Sequence, residues 1–185
     1  MEKRDSTQQV IAFKRTRFTW LAYLMLGYYA YLQAAIGPLM PFLSAELHMN
    51  YTMEGLHFSA FAFGAFLVGF TGNRVTQFCG RRVVFWGGGI AMALGAIALT
   101  ISHQAILTLL SILLMGYAGN LLLMSIQATL SDQHGAYRSV ALIEANIIAS
   151  VGASLVHSLL AACKAFSSAG VAHCCLWSSY SSSSL

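Results

Sequence analysis

The sequence predicts an all-α fold: a polytopic membrane helix bundle of about five transmembrane helices. Three observations carry this. First, 57% of the 185 residues are hydrophobic and only 9% are charged, against roughly 25% charged in an ordinary soluble domain. A soluble fold of this size cannot hide that much apolar surface and still present a wetted exterior. Second, the charges are segregated: five of the ten basic residues precede Phe18, and long uncharged runs follow. Third, the remaining basic residues fall almost entirely in alternate links between those runs.

Residues 1–17 form a polar, basic tail. The run 18–43 carries no charge and exceeds the roughly 20 apolar residues needed to cross a hydrocarbon core. It is too long for the apolar core of a signal peptide and has no small-residue cleavage site after it. Pro38 and Pro41 lie near its far end, where a kink or early termination is tolerable because a neighbouring helix can cover the freed carbonyls. After a polar link, Ser44 to Met53, the second run spans 54–72. The segment Asn73 to Arg82 is read as a polar link with three arginines. The third run, 83–101, opens on Gly87-Gly88-Gly89, small residues that let helix backbones approach in lipid. Ser102-His103-Gln104 is a tight turn. The fourth run is 105–130, Ser131 to Ser139 is a polar link, and the fifth run is 140–162, closing a transmembrane region at 163.

Orientation follows from the basic residues. With the N-terminus inside, Lys3, Arg4, Lys14, Arg15, Arg17, Arg74, Arg81, Arg82 and Arg138 lie on the inner side, and only Lys164 lies outside. Cytoplasmic links hold such an excess of Lys and Arg. The same distribution argues against nucleic acid as a partner despite the net charge of +4. The bilayer is the partner instead.

The segment 164–185 departs from this pattern and reads as an aberrant Ser/Cys-rich tail, either disordered or frameshifted. If its serines use TCN codons, a reading frame one base earlier gives every codon from Cys174 to Ser184, except that of Leu176, a T in the second position. All such codons encode apolar residues. The expectation is a sixth membrane helix legible in another frame, and a natural frame that continues beyond it. AGY codons at the terminal serines would rule this out.

Several residues stand out as candidates for function. A carboxylate at membrane depth costs about 2.5–3.5 kcal/mol on the insertion scale. Glu144 therefore reads either as a proton-coupling group or as an ion-pair partner of Arg138, less than two turns away, or of the arginines in the inner link. Asn146, Ser150, Ala153 and His157 recur at helical spacing on the fifth run, Asn120, Met124 and Gln127 on the fourth, and Tyr29, Gln33 and Ile36 on the first. Three such polar stripes can enclose a hydrated path. Alternatively they make interhelical hydrogen bonds only, worth about 0.6 kcal/mol each. His48, His57 and His103 have no Glu or Cys at ligand spacing, and Cys79, Cys163, Cys174 and Cys175 have no metal-ligand pattern. No metal, cofactor or enzymatic chemistry is expected.

The link between the second and third runs carries a resemblance. It reads Gly72-Asn73-Arg74-Val75-Thr76-Gln77-Phe78-Cys79-Gly80-Arg81-Arg82, and is similar to the Gly-x-x-x-Asp-Arg-x-Gly-Arg-Arg link of major facilitator superfamily transporters. Gly72 lies one residue further upstream, Gln77 stands where Asp is usual, and Phe78 replaces the first Arg. Gly37-Pro38-Leu39-Met40-Pro41-Phe42-Leu43 and Ser131 to Arg138 followed by Glu144-Ala145-Asn146 also look like bacterial members. The resemblance covers about residues 18–165.

It implies the amino-terminal half of a secondary, alternating-access permease: an incomplete six-helix bundle that moves a small organic solute with a proton or sodium as coupling ion. It also implies a bacterial inner (plasma) membrane location, with this chain a fragment inactive alone. The substrate-cavity candidates are Tyr29, Gln33, Asn120, Met124, Gln127, Asn146, Ser150 and His157. The inner-gate candidates are Gly72, Gln77, Gly80, Arg81, Arg82, Asp132, Arg138 and Glu144. Drug–proton antiport is not expected, because the fourth run lacks a membrane-embedded arginine and the fifth lacks a Gly-Pro pair. The alternative is a membrane scaffold or assembly subunit with no transport path.

Overall fold

The computed structural model describes residues 15–182, with side chains described through Ala162, Leu160 excepted. The basic tail before Arg15 and the side chains of the Ser/Cys-rich segment lie outside the described residues. Within them the chain is helical: α1 (Arg17–Glu46), α2 (Tyr51–Cys79), α3 (Arg81–Ile101), α4 (Ala105–His134), a 3₁₀ turn (Gly135–Tyr137) and α5 (Arg138–Ser182).

Helix directions follow from which residues meet. α2 and α4 run parallel: His57 meets Thr108, Gly64 meets Gly116, and Gly72 meets Met124. α1 and α5 are also parallel, joined at Tyr23–Glu144 and again at Gly27–Gly152. α3 is antiparallel to α4, with Gly88 against Ala118 and Gly95 against Met115. α1 is likewise antiparallel to α4, through Thr19–His134 and Tyr29–Gly119. Thus α1, α3 and α5 point one way and α2 and α4 the other. One end of the bundle, the basic end, carries Arg15, Arg17, Arg81, Arg82 and Arg138. The links 47–50 and 102–104 at the opposite end hold no Lys or Arg.

The surface matches an apolar solvent. Leu24, Phe66, Phe70 and Ile106 are each at least 60% exposed. No water-facing fold tolerates so large an apolar belt. Three helical runs are long and apolar enough to cross a membrane: Tyr51–Cys79, Arg81–Ile101 and the 55-residue run Ala105–Leu159. The last contains α4, the 3₁₀ turn and the first part of α5. It reverses direction at Gly135, whose φ of +44° breaks the helix. α1 falls short by hydropathy because Trp20, four tyrosines, Gln33 and two prolines dilute its apolar content.

Several boundaries differ from the sequence reading. Asn73 to Cys79 is helix, not link, and α2 ends only at Gly80. Polar side chains exclude a segment from hydrocarbon without preventing a helix, so hydropathy marks where the membrane ends and not where the helix ends. Ser131 to His134 extends α4 for the same reason. α1 continues through both prolines to Glu46. α5 continues as one helix of 45 residues, a length of about 68 Å at 1.5 Å per residue. The break at Gly80 has φ +83° and ψ 148°, a region open essentially to glycine alone. Gly80→Ala is expected to cost about 1–3 kcal/mol, read as a lower unfolding temperature in detergent. An unchanged temperature would mean the break relaxes freely.

The core forms around α4. Ile112, Met115, Leu122, Ile126 and Leu130 are fully or almost fully buried against Tyr23, Leu26, Phe85 and Met92. Glycines set the closest approaches. A Cβ on Gly64 would lie 2.6 Å from the Leu113 carbonyl oxygen, and one on Gly152 would lie 2.6 Å from that of Gly27. In lipid, helix association rests on this kind of backbone-level packing, since water does not drive it.

Candidate functional site

The basic end holds a polar network between α1, α4 and α5. Thr16 caps α1 by accepting from the Thr19 amide, and the Thr19 hydroxyl accepts in return from the Thr16 amide. That buried hydroxyl also meets His134 Nε2 at 3.1 Å, which ties the first turn of α1 to the last turn of α4. Arg15, just before the helix, donates from Nε and Nη2 to the two carboxylate oxygens of Glu144 at 3.1 and 2.6 Å. The Tyr23 hydroxyl donates to the same carboxylate at 3.0 Å. The carboxylate holds the Arg15 guanidinium above its ordinary pKa, first through the hydrogen bond and then through charge attraction.

Glu144 is therefore an ion-pair member, but its partner is Arg15 and not Arg138 or the arginines of the α2–α3 link. Arg138 is exposed in the first turn of α5. A second pair joins Arg81, in the first turn of α3, to Asp132, in the last turn of α4. Ser125 donates to the Arg81 carbonyl at 3.4 Å. Thus α3 is held to α4 where Gly80 breaks the chain. Gln77 is exposed and donates to Asn73 at 3.3 Å, along its own helix. Arg82 is exposed. Gly72 is not at a link: it is buried inside α2 beneath Val68, Met124 and Leu121.

The polar-stripe residues divide. Tyr29 is buried on α1 against Gly119 of α4. Asn120 is half-buried and donates to the Gly116 carbonyl one turn back at 2.8 Å. Gln33 and Gln127 are exposed, and Met124 is partly exposed with its sulfur over Gly72. On α5, Asn146 donates to the Leu142 carbonyl and Ser150 to that of Asn146. His157 Nδ1 lies 3.0 Å from the Ala153 carbonyl, so that nitrogen carries the proton. All three are exposed. Ser150 lines a shallow groove of about 360 Å³ along α5 with Ile147, Val151, Ser154, Leu155 and Ser158. Asn120, Asn146, Ser150 and His157 thus each bond a carbonyl of their own helix.

At the opposite end His57 is fully buried between α2 and α4. Its Nδ1 lies 2.6 Å from the Met53 carbonyl and its Nε2 lies 2.9 Å from the Thr108 hydroxyl. His103 reaches Glu46 at 3.2 Å, linking the α3–α4 turn to the end of α1. Sequence reasoning missed Arg15, Tyr23, Thr19 and His134 as a network. The local signal was the Thr16-x-x-Thr19 spacing of a capping pair. Nothing local indicates a contact 129 residues away.

The model of the Major Facilitator Superfamily matches residues 19–178. The chain belongs to the Major Facilitator Superfamily. The match takes in all five helices and extends into the segment beyond Lys164. No curated protein and no solved structure matches the chain. As a superfamily member it is an integral membrane protein of the transporter type. Transporters of this superfamily act on small-molecule substrates, often with ion coupling, and are not enzymes.

Proposed function

We propose that this chain forms the amino-terminal bundle of a secondary transporter for a small organic solute, working by alternating access. The observation that carries this is the alternating direction of the five helices within a superfamily match that spans them. On this reading each helix crosses the bilayer, with the basic end in the cytoplasm of a bacterial inner membrane. The exposed polar groups Gln33, Gln127, Asn146, Ser150 and His157 face a second bundle across the solute path. Polar side chains on membrane helices turn towards protein or a water-filled cavity. A proton or sodium ion is the coupling ion.

α1 also presents an apolar groove of about 460 Å³ with α3, lined by residues including Leu21, Leu24, Tyr28, Trp86 and Ile90. This surface suits a further apolar helix. On this reading the bundle rocks against a second one about the solute path. Reconstituted in liposomes as 185 residues, the chain is expected to give no uptake across a panel of labelled sugars, amino acids and organic acids. If the tail is frameshifted, the longer product of the corrected frame is expected to transport at least one, and to lose most of that activity on Asn146→Leu. Uptake by the 185-residue chain alone would overturn the fragment reading. No uptake by the longer product would overturn transport of the solute classes on that panel.

A further inference from the structure

We infer that Arg15, Glu144 and Tyr23 form a latch that fastens the entry to α1 across the α1–α5 seam at the basic end, with Arg15 as its movable member. The parts differ in how firmly they are held. Tyr23 is 1% exposed and belongs to the core. Glu144 sits one layer further out, with a side chain 26% exposed. Arg15 is outermost, with a side chain 47% exposed, and precedes the first residue of α1. The carboxylate thus rests on a fixed donor from below and is closed by a bidentate donor from the residue before the Thr16 cap. Such a fork-to-carboxylate pair is geometrically specific, and two parallel charge-assisted bonds are stronger than neutral ones.

The seam beneath is held differently. Gly27 and Gly152 bring the α1 and α5 backbones into contact, and this packing does not involve Arg15. Opening the pair therefore frees Arg15, just ahead of α1, while leaving the two helices together. The other charged or titratable groups at this end include His134, bonded to Thr19, Arg17 and Arg138 in the first turns of α1 and α5, Arg82, and Arg81 paired with Asp132. The bonds to the Glu144 carboxylate come from Arg15 and Tyr23. As a gate of transport the latch rests on the reading above. As a contact it stands apart from it, and its test uses no transport.

Trypsin supplies that test, because it must take the Arg15 side chain into its own pocket to cut Arg15–Thr16. That side chain is available only when the pair is open. The whole chain in nanodiscs is digested briefly, and the Arg15–Thr16 cut is compared with the Arg82–Val83 cut. Glu144→Gln keeps shape and removes charge; it is expected to raise the ratio of the two rates about tenfold. Tyr23→Phe, which loses one bond and keeps the core filled, is expected to raise it about threefold. Asp132→Asn is expected to leave the Arg15 cut unchanged. An unchanged ratio in both Glu144→Gln and Tyr23→Phe would overturn the latch. So would equal acceleration at both cuts, which is general loosening. Uptake by the longer product is a separate measurement, so the failure of one is distinguishable from the failure of the other.

Discussion

Gly64→Leu is expected to leave little folded bundle. The Cβ alone would lie 2.6 Å from the Leu113 carbonyl oxygen and 2.7 Å from the Tyr117 amide nitrogen. Both are backbone atoms of α4, so no rotamer change makes room, and three further carbons must follow. The facing residue is Gly116, which meets the Phe61 backbone just as closely, so α4 offers no slack in return. Overpacking of well-packed sites costs roughly 1–3 kcal/mol, and this site belongs at the upper end because rigid helices must separate. Gly69→Leu is the matched control. It lies on the same helix with nothing within 4 Å of its Cβ position and should be tolerated. Size-exclusion profiles and thermal unfolding in detergent should separate the two variants sharply. Equal behaviour would mean that α2 and α4 are not packed through Gly64.

The second large effect is expected at Tyr23. Tyr23→Ala removes a ring that is 1% exposed within the core around α4 and takes a bond from Glu144. Truncating a buried aromatic costs about 3–5 kcal/mol in soluble cores. In lipid the loss is of packing and not of hydration, which favours the lower figure. Tyr23→Phe keeps the packing and loses only a hydrogen bond to a charged group, about 1.5–3 kcal/mol. Thermal unfolding should rank wild type above Tyr23→Phe and Tyr23→Phe above Tyr23→Ala. If the two variants are equally destabilised, the hydroxyl and not the ring holds this end of α1.

Much of the fold was legible because the bilayer imposes strong rules. Uncharged runs marked the helices, and Gly80 and Gly135 fell where the chain turns. The basic residues sorted to one end before any geometry was known. The helix ends were less legible. Arg74 and Gln77 read as link residues, yet α2 carries them for two more turns, because a polar side chain leaves the membrane without leaving the helix.

The candidate site was legible only as a set of residue types. That Glu144 takes part in an ion pair could be anticipated from the cost of a carboxylate at membrane depth. That its partner is Arg15 could not: Arg138 is far nearer in sequence, but at six residues it is off the i, i+3 or i, i+4 spacing of a helical pair, and nothing local points to Arg15. Gly72 shows the converse: it was read as the glycine of the link motif displaced by one residue, and the structure uses it as a packing surface for Met124. The stripe on α5 had the expected spacing, but Asn146, Ser150 and His157 each turn back to a carbonyl of their own helix. Periodicity locates a face and leaves open what the face bonds to.

The proposal that five helices of alternating direction cross the membrane with the basic end inside carries the reading of this chain as a transporter bundle. It is tested most directly by labelling single cysteines in intact cells with a membrane-impermeant maleimide. Cys163, Cys174 and Cys175 are first replaced by serine, leaving Cys79, which is exposed at the basic end. In that background Cys79 alone should label only after the membrane is permeabilised. With Cys79 also replaced, Gln133→Cys should behave in the same way, whereas Asn50→Cys and His103→Cys should label without permeabilisation. Labelling of Cys79 and Asn50→Cys from the same side would contradict the account, because α2 would then not span the bilayer.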